Sequence, residues 1–121
     1  MRSGLLALSI AVLACNTAAS VAEPWQIELA SDGGFTGRGI GTIAADSEHA
    51  TAALRRAVAA SKPQHWEREY AHKDAPHGYP DEIHFTLTLR SGDHEYVTSW
   101  YQTAPLPRDL EAISDALRSA K

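Results

Sequence analysis

The stretch "IHFTLTLRSGDHEYVTSWY", Ile83 to Tyr101, decides the fold. Ile83, Phe85, Leu87 and Leu89 alternate with His84, Thr86, Thr88 and Arg90. Alternation of apolar and polar residues marks a strand with one buried face. Ser91, Gly92 and Asp93 carry turn chemistry, and His94 to Tyr101 returns as a second strand. The inward face of the return strand stays open at this point. Tyr96, Thr98 and Trp100 compete with Val97 and Tyr101, because register follows whether the turn holds two or three residues.

Upstream, Trp25, Ile27 and Leu29 alternate with Gln26, Glu28 and Ala30, which reads as another strand. "IGTIAA", Ile40 to Ala45, reads as its hairpin partner. Ala50, Ala53, Leu54, Ala57 and Val58 form one stripe at helical spacing, so a helix is expected over Glu48 to Ser61. Asp46 or Ser47 would cap it, and Pro63 stops it. Lys62 to Asp81 contains Pro63, Pro76 and Pro80 and reads as a long irregular loop. Trp66 and Tyr70, four apart, are expected to fold over the edge of the core. Downstream, Leu106, Leu110, Ile113, Leu117 and Ala120 repeat at helical spacing behind Pro107, a favoured first helical residue. Asp109 and Glu111 in the first turn, and Arg118 and Lys121 in the last, suit the helix dipole.

The expected order is therefore β-β-α-β-β-α. The expected architecture is an α+β domain with a four-stranded, mostly antiparallel sheet and both helices on one face. The first 22 residues stand apart from it. Arg2, the apolar run Leu5 to Ala14 and the small residues up to Ala22 follow the order of a secretory signal peptide. A cut before Glu23 leaves 23–121 as one domain. "VLAC", Val12 to Cys15, also resembles a lipobox, which makes Cys15 a candidate lipidation site. A secreted or periplasmic address is expected. Cys15 is the only cysteine, so no disulfide staples the domain.

The formal charge is −4 and its signs are mixed along the chain, which excludes a basic stripe for nucleic acid or an anionic membrane. The six histidines are His49, His65, His72, His77, His84 and His94. None forms a tight pair of metal-ligand spacing, and His84 falls on the polar face of its strand. No metal site and no cofactor is expected. Nucleophilic catalysis lacks a Gly-x-Ser-x-Gly elbow and a cysteine within 23–121. Asp81 and Glu82 read as a strand entrance rather than an acid/base pair, so a non-enzymatic protein is expected.

Gly33, Gly34, Gly37, Gly39 and Gly41 crowd around Phe35 in "ASDGGFTGRGIGT", Ala30 to Thr42. A strand follows them rather than a helix, which excludes a phosphate loop. Two readings remain. In one, the glycines make a hairpin turn and Phe35 folds back on the core edge. In the other, Phe35 and Arg38 are anchors on a projecting loop that a partner's backbone can approach closely. Burying the phenylalanine ring would be worth ~1.5–3 kcal/mol.

Several of these segments together resemble the emfourin family. Gly33, Gly34, Phe35 and Gly37 match its Gly-Gly-Phe-x-Gly turn. Asp81, Phe85, Leu87 and Leu89 match the strand that follows an Asp, and Pro105 to Leu117 match the Pro-led terminal helix. The resemblance spans Trp25 to Ala120. Emfourins inhibit thermolysin-like zinc metallopeptidases of the protealysin kind. The resemblance implies a non-enzymatic protease inhibitor that sets a Gly-rich hairpin loop into the active-site cleft; export is expected from the leader, and a monomer is expected. Gly33, Gly34, Phe35, Thr36, Gly37 and Arg38 would be its contacts. An export signal departs from the usual family pattern. The competing reading is an envelope protein that binds a metal or small ligand through the His-rich loop 62–81.

Overall fold

A computed structural model describes residues 21–33 and 41–119. It is an α+β domain built on one mixed sheet of five strands. The strands are β1 (Trp25–Gly33), β2 (Gly41–Asp46), β3 (Glu69–Tyr70), β4 (Ile83–Ser91) and β5 (His94–Tyr101). The helices are α1 (Ala52–Ala60) and α2 (Arg108–Ser119). The spatial order is β2-β1-β4-β5-β3. All pairings are antiparallel except that of β3 with β5.

The alternation in β4 does what its pattern requires. Phe85, Leu87 and Leu89 are buried, opposite Ser31, Leu29 and Ile27 of β1. Ile27, Leu29, Leu87 and Leu89 join Leu54 and Val58 of α1 and Leu110, Ile113 and Leu117 of α2 in one hydrophobic cluster. The other face of the sheet carries Glu28, Thr88, Arg90 and Val97. Val97 is half exposed.

The turn between β4 and β5 has two residues, with Ser91 paired to His94. Gly92 has φ +61, the sign that a two-residue hairpin turn of the primed kind needs at its first position. This register resolves the face left open in the sequence. Thr98 and Trp100 point into the core, Tyr96 packs against it, and Val97 and Tyr101 lie on the opposite face.

The expected four strands are five, and the sheet is mixed. The addition is β3, drawn from the long loop. Ser99 N–H donates to the Arg68 carbonyl at 3.0 Å, and Thr98 Oγ1 donates to the Glu67 carbonyl at 2.7 Å. These bonds satisfy backbone and hydroxyl groups of β5 that its pairing with β4 leaves unmet. The start of the loop is pinned from α2. Asp109 Oδ2 accepts from Lys62 N–H and from Trp66 Nε1–H, both at 3.0 Å. Trp66 and Tyr70 pack against the core, as expected for this pair.

The first helix starts later than its apolar stripe suggests. Asp46 and Ser47 are not its caps. Asp46 Oδ1 accepts from His49 N–H at 2.9 Å and closes a turn over residues 47–49. Ser47 is buried and bonds the start of β1: its Oγ accepts from Trp25 N–H at 3.1 Å, and its own N–H donates to the Trp25 carbonyl at 2.9 Å. Thr51 is the cap, its Oγ1 accepting from Leu54 N–H at 3.1 Å. At the end of the chain, Pro107 lies just before α2 and its carbonyl accepts from Glu111 N–H at 3.1 Å. Upstream, Val21 is buried in the core, and the Ala22 carbonyl accepts from Ser91 Oγ at 2.6 Å. No described helix is long and apolar enough to cross a membrane.

Candidate functional site

The β1–β2 and β3–β4 connections meet at the same end of the sheet. At that end β1 closes with Gly33 opposite Ile83, and β2 opens with Gly41 opposite Ser31. Residues 34–40 join them. Gly33 has φ +89, and a Cβ there would stand 3.2 Å from the Glu82 carbonyl. That position combines a left-handed backbone with a close approach, and it suits glycine alone. Of the residues marked by sequence as contacts, Gly33 is therefore the last residue of β1. Gly34, Phe35, Thr36, Gly37 and Arg38 lie outside the described residues, as does Cys15.

Beside Gly33, the loop 71–82 is tied down by one carboxylate. Glu82 Oε1 accepts from Tyr79 N–H at 2.9 Å. Glu82 Oε2 accepts from Thr103 N–H at 2.7 Å, and the Thr103 hydroxyl donates to the same oxygen. His72 Nε2 lies 2.9 Å from that oxygen and 3.1 Å from Thr103 Oγ1. The Glu82 side chain is only 5% exposed and that of His72 13%. Burial pushes the Glu82 carboxyl up. The bonds from His72, Thr103 and the Tyr79 and Thr103 backbone outweigh it and hold the group at about 2. Gln102 completes this end of the sheet: its N–H donates to the Ile83 carbonyl at 2.8 Å, and its Oε1 accepts from Ile83 N–H at 3.3 Å.

Aromatic rings surface this platform. Tyr79 stacks at a tilt on His72, 4.7 Å between ring centres, and its hydroxyl donates to Asp74 at 3.1 Å. The Asp74 bond, then burial, raises the Tyr79 phenol. Tyr101 stacks on His84, also at 4.7 Å. Burial first, then the charges of Glu69, Asp32 and Glu82, raise the Tyr101 phenol. Gly78, at φ +79, lies over Tyr101 so closely that a Cβ would overlap its ring. His84 is less solvated than its polar-face position suggests, since Nε2 meets Glu69 Oε2 at 3.0 Å and the side chain is 26% exposed.

The geometry bears on chemistry in two ways. A hydroxyl–imidazole–carboxylate relay passes through both ring nitrogens. Here Glu82 and Thr103 share the single Nε2 of His72, so the three groups form a clamp rather than a relay. The histidines of the 62–81 stretch do not converge either. Among the described residues, Asp46, Glu48 and His49 are the group whose ligand atoms approach one another closely enough for a metal ion, and they sit at the opposite end of β2. The residues that organise the site were missed in the sequence. Glu82 read as a strand entrance and Thr103 drew no attention, because a buried acceptor of four hydrogen bonds has no local pattern. Gly78 within "HGYP" carried the one usable signal, a glycine amid loop aromatics.

Compared with protein-family models, curated proteins and solved structures, the chain matches none. The resemblance to emfourins rests on the quoted residues.

Proposed function

We propose that this chain is an exported inhibitor of a thermolysin-like zinc metallopeptidase, acting through the connection 34–40 between β1 and β2. The observation that carries the reading is the placement of that connection's two ends. Gly33 and Gly41 terminate strands paired to each other, and β1 is paired in turn to β4 at the Glu82 clamp. The two described ends are thus held by strand pairing beside the Glu82 clamp. Phe35 and Arg38 belong to residue types that dominate binding hot spots. The neighbouring rings of Tyr79 and Tyr101 extend the surface a partner would meet.

The test is residual activity of a thermolysin-like protease titrated with the protein. Stoichiometric loss of activity, relieved in a Phe35→Ala, Arg38→Ala double variant, is expected. A protease unaffected by the wild-type chain overturns the reading. Zinc calorimetry separates the competing function: stoichiometric uptake that is lost in a His65→Ala, His77→Ala variant would transfer the assignment to the His-rich loop.

A further inference from the structure

The two edges of the sheet are finished differently. At one edge β3 is only two residues long, which leaves little backbone to pair. At the other edge β2 runs for six residues, "GTIAAD", and among the described residues it pairs with β1 alone. Exposed edges are usually blunted by lysine, proline, a bulge or extreme shortness. β2 has no lysine and no proline, its register with β1 runs without a bulge from Gly41 to Asp46, and an added Cβ at Gly41 would meet nothing within 4 Å.

The surroundings of this edge are shaped and charged. On the core side, a depression of about 380 Å³ is floored by Ala45, Ala50 and Leu54 and rimmed by Asp46 and His49. On the open face, a second depression of about 360 Å³ is lined by Glu28, Ala44, Asp46 and Arg90. Arg90 Nε is bonded to Glu95 at 2.8 Å and Asp46 lies 2.9 Å from the His49 ring, so Glu28 is the carboxylate of that depression with no ion-pair partner among the described residues, and it leaves the sign negative.

We infer that β2 is a docking edge for an extended segment of another protein, one that alternates apolar and basic side chains. The segment adds as a sixth strand, with its backbone meeting the outward N–H and C=O groups of β2. Side chains of an added strand alternate between the faces. Every second one therefore drops toward Ala45, Ala50 and Leu54. The intervening ones lean across Ala44 toward Glu28, and a lysine or arginine matches that charge. The inference is independent of protease inhibition, because it uses the long side of β2 and none of the residues 34–40.

The probe is a capped hexapeptide alternating lysine and valine, titrated into the full chain with backbone amide shifts of β2 as the readout. Saturable shifts along residues 41–46 are expected at up to about 1 mM peptide. The same peptide with prolines for valines keeps the charge but cannot pair, and one with glutamates for lysines keeps the pairing but reverses the charge. Each is expected to bind at least about tenfold more weakly. Ala44→Lys, at an exposed position, should weaken the lysine–valine peptide by about tenfold while leaving the far-UV spectrum unchanged. Three results overturn the inference: no β2 shift with the lysine–valine peptide, equal binding of the proline peptide, or a stable dimer in sedimentation that Ala44→Lys dissolves. The last would mean that a second copy of the chain covers the edge.

Discussion

The two ends of the sheet are closed by different chemistry. At the end where β4 turns into β5, a tight turn is flanked by serine bonds to distant backbone, and its ion pairs, Arg90–Glu95 and Asp46–His49, are exposed. Two residues make the turn, Ser91 Oγ bonds the Ala22 carbonyl, and Ser47 bonds both polar groups of the Trp25 backbone. At the opposite end, closure converges on one buried carboxylate. Glu82 gathers His72, Tyr79 and Thr103, residues brought together from the long loop and from beyond β5. A short turn needs no anchor, because the chain supplies its geometry over four residues. Long connections need one, and a carboxylate with four acceptor sites is an economical choice. The consequence is that acid strikes a buried carboxylate at one end and exposed ones, Asp46 and Glu95, at the other.

The largest effect that should separate the ends is Gly78→Ala. The new methyl overlaps the Tyr101 ring and the backbone sits at φ +79, so a loss of about 2–4 kcal/mol in urea unfolding is expected. Next is Glu82→Gln, which leaves at least one of the clamp's donors without its acceptor and should cost about 1–3 kcal/mol by the same measurement. At the other end, Gly92→Ala meets open space and pays only for its φ of +61, about 1 kcal/mol. Ser91→Ala removes one neutral bond and should cost about 1 kcal/mol or less.

Acid sharpens the same contrast. The Glu82 carboxyl is held at about 2, below its ordinary 4.5, so its contribution is complete above pH 4.5 and is lost as the pH falls from 4.5 toward 2. Amide exchange over that window should speed up at Tyr79 and Thr103 while the Trp25 and Ser47 amides hold their protection. In Glu82→Gln the acid-dependent speeding at Tyr79 and Thr103 should disappear. Equal acid sensitivity at both ends would remove the distinction.

What was legible in the sequence was what local pattern carries. The β4 alternation is a local property, and its face was assigned correctly from Phe85, Leu87 and Leu89 alone. The Leu110, Ile113 and Leu117 stripe of α2 was likewise assigned, since helical spacing suffices. The face of β5 was not, because one residue of turn length inverts it. β3 was invisible, since two residues inside a loop have no period. Its presence depends on what β5 offers across space. The late start of α1 escaped for a related reason: Asp46 and Ser47 are good caps by type, but Trp25 and His49 claim them. At the candidate site, the composition of the glycine segment was conspicuous, and the Glu82 clamp beneath its neighbour Gly33 was not. Glycine clusters are visible in one dimension; convergence on a carboxylate is not.

The serine bond at Ala22 bears on the proposed export. A leader peptidase that cuts between Ala22 and Glu23 must reach the Ala22 carbonyl, and in the folded chain Ser91 Oγ holds that oxygen at 2.6 Å beside a buried Val21. Folding and cleavage at that bond thus compete for the same atoms. If the proposed leader is cut there, a chain that folded first would shield the bond, so the cut would have to precede folding.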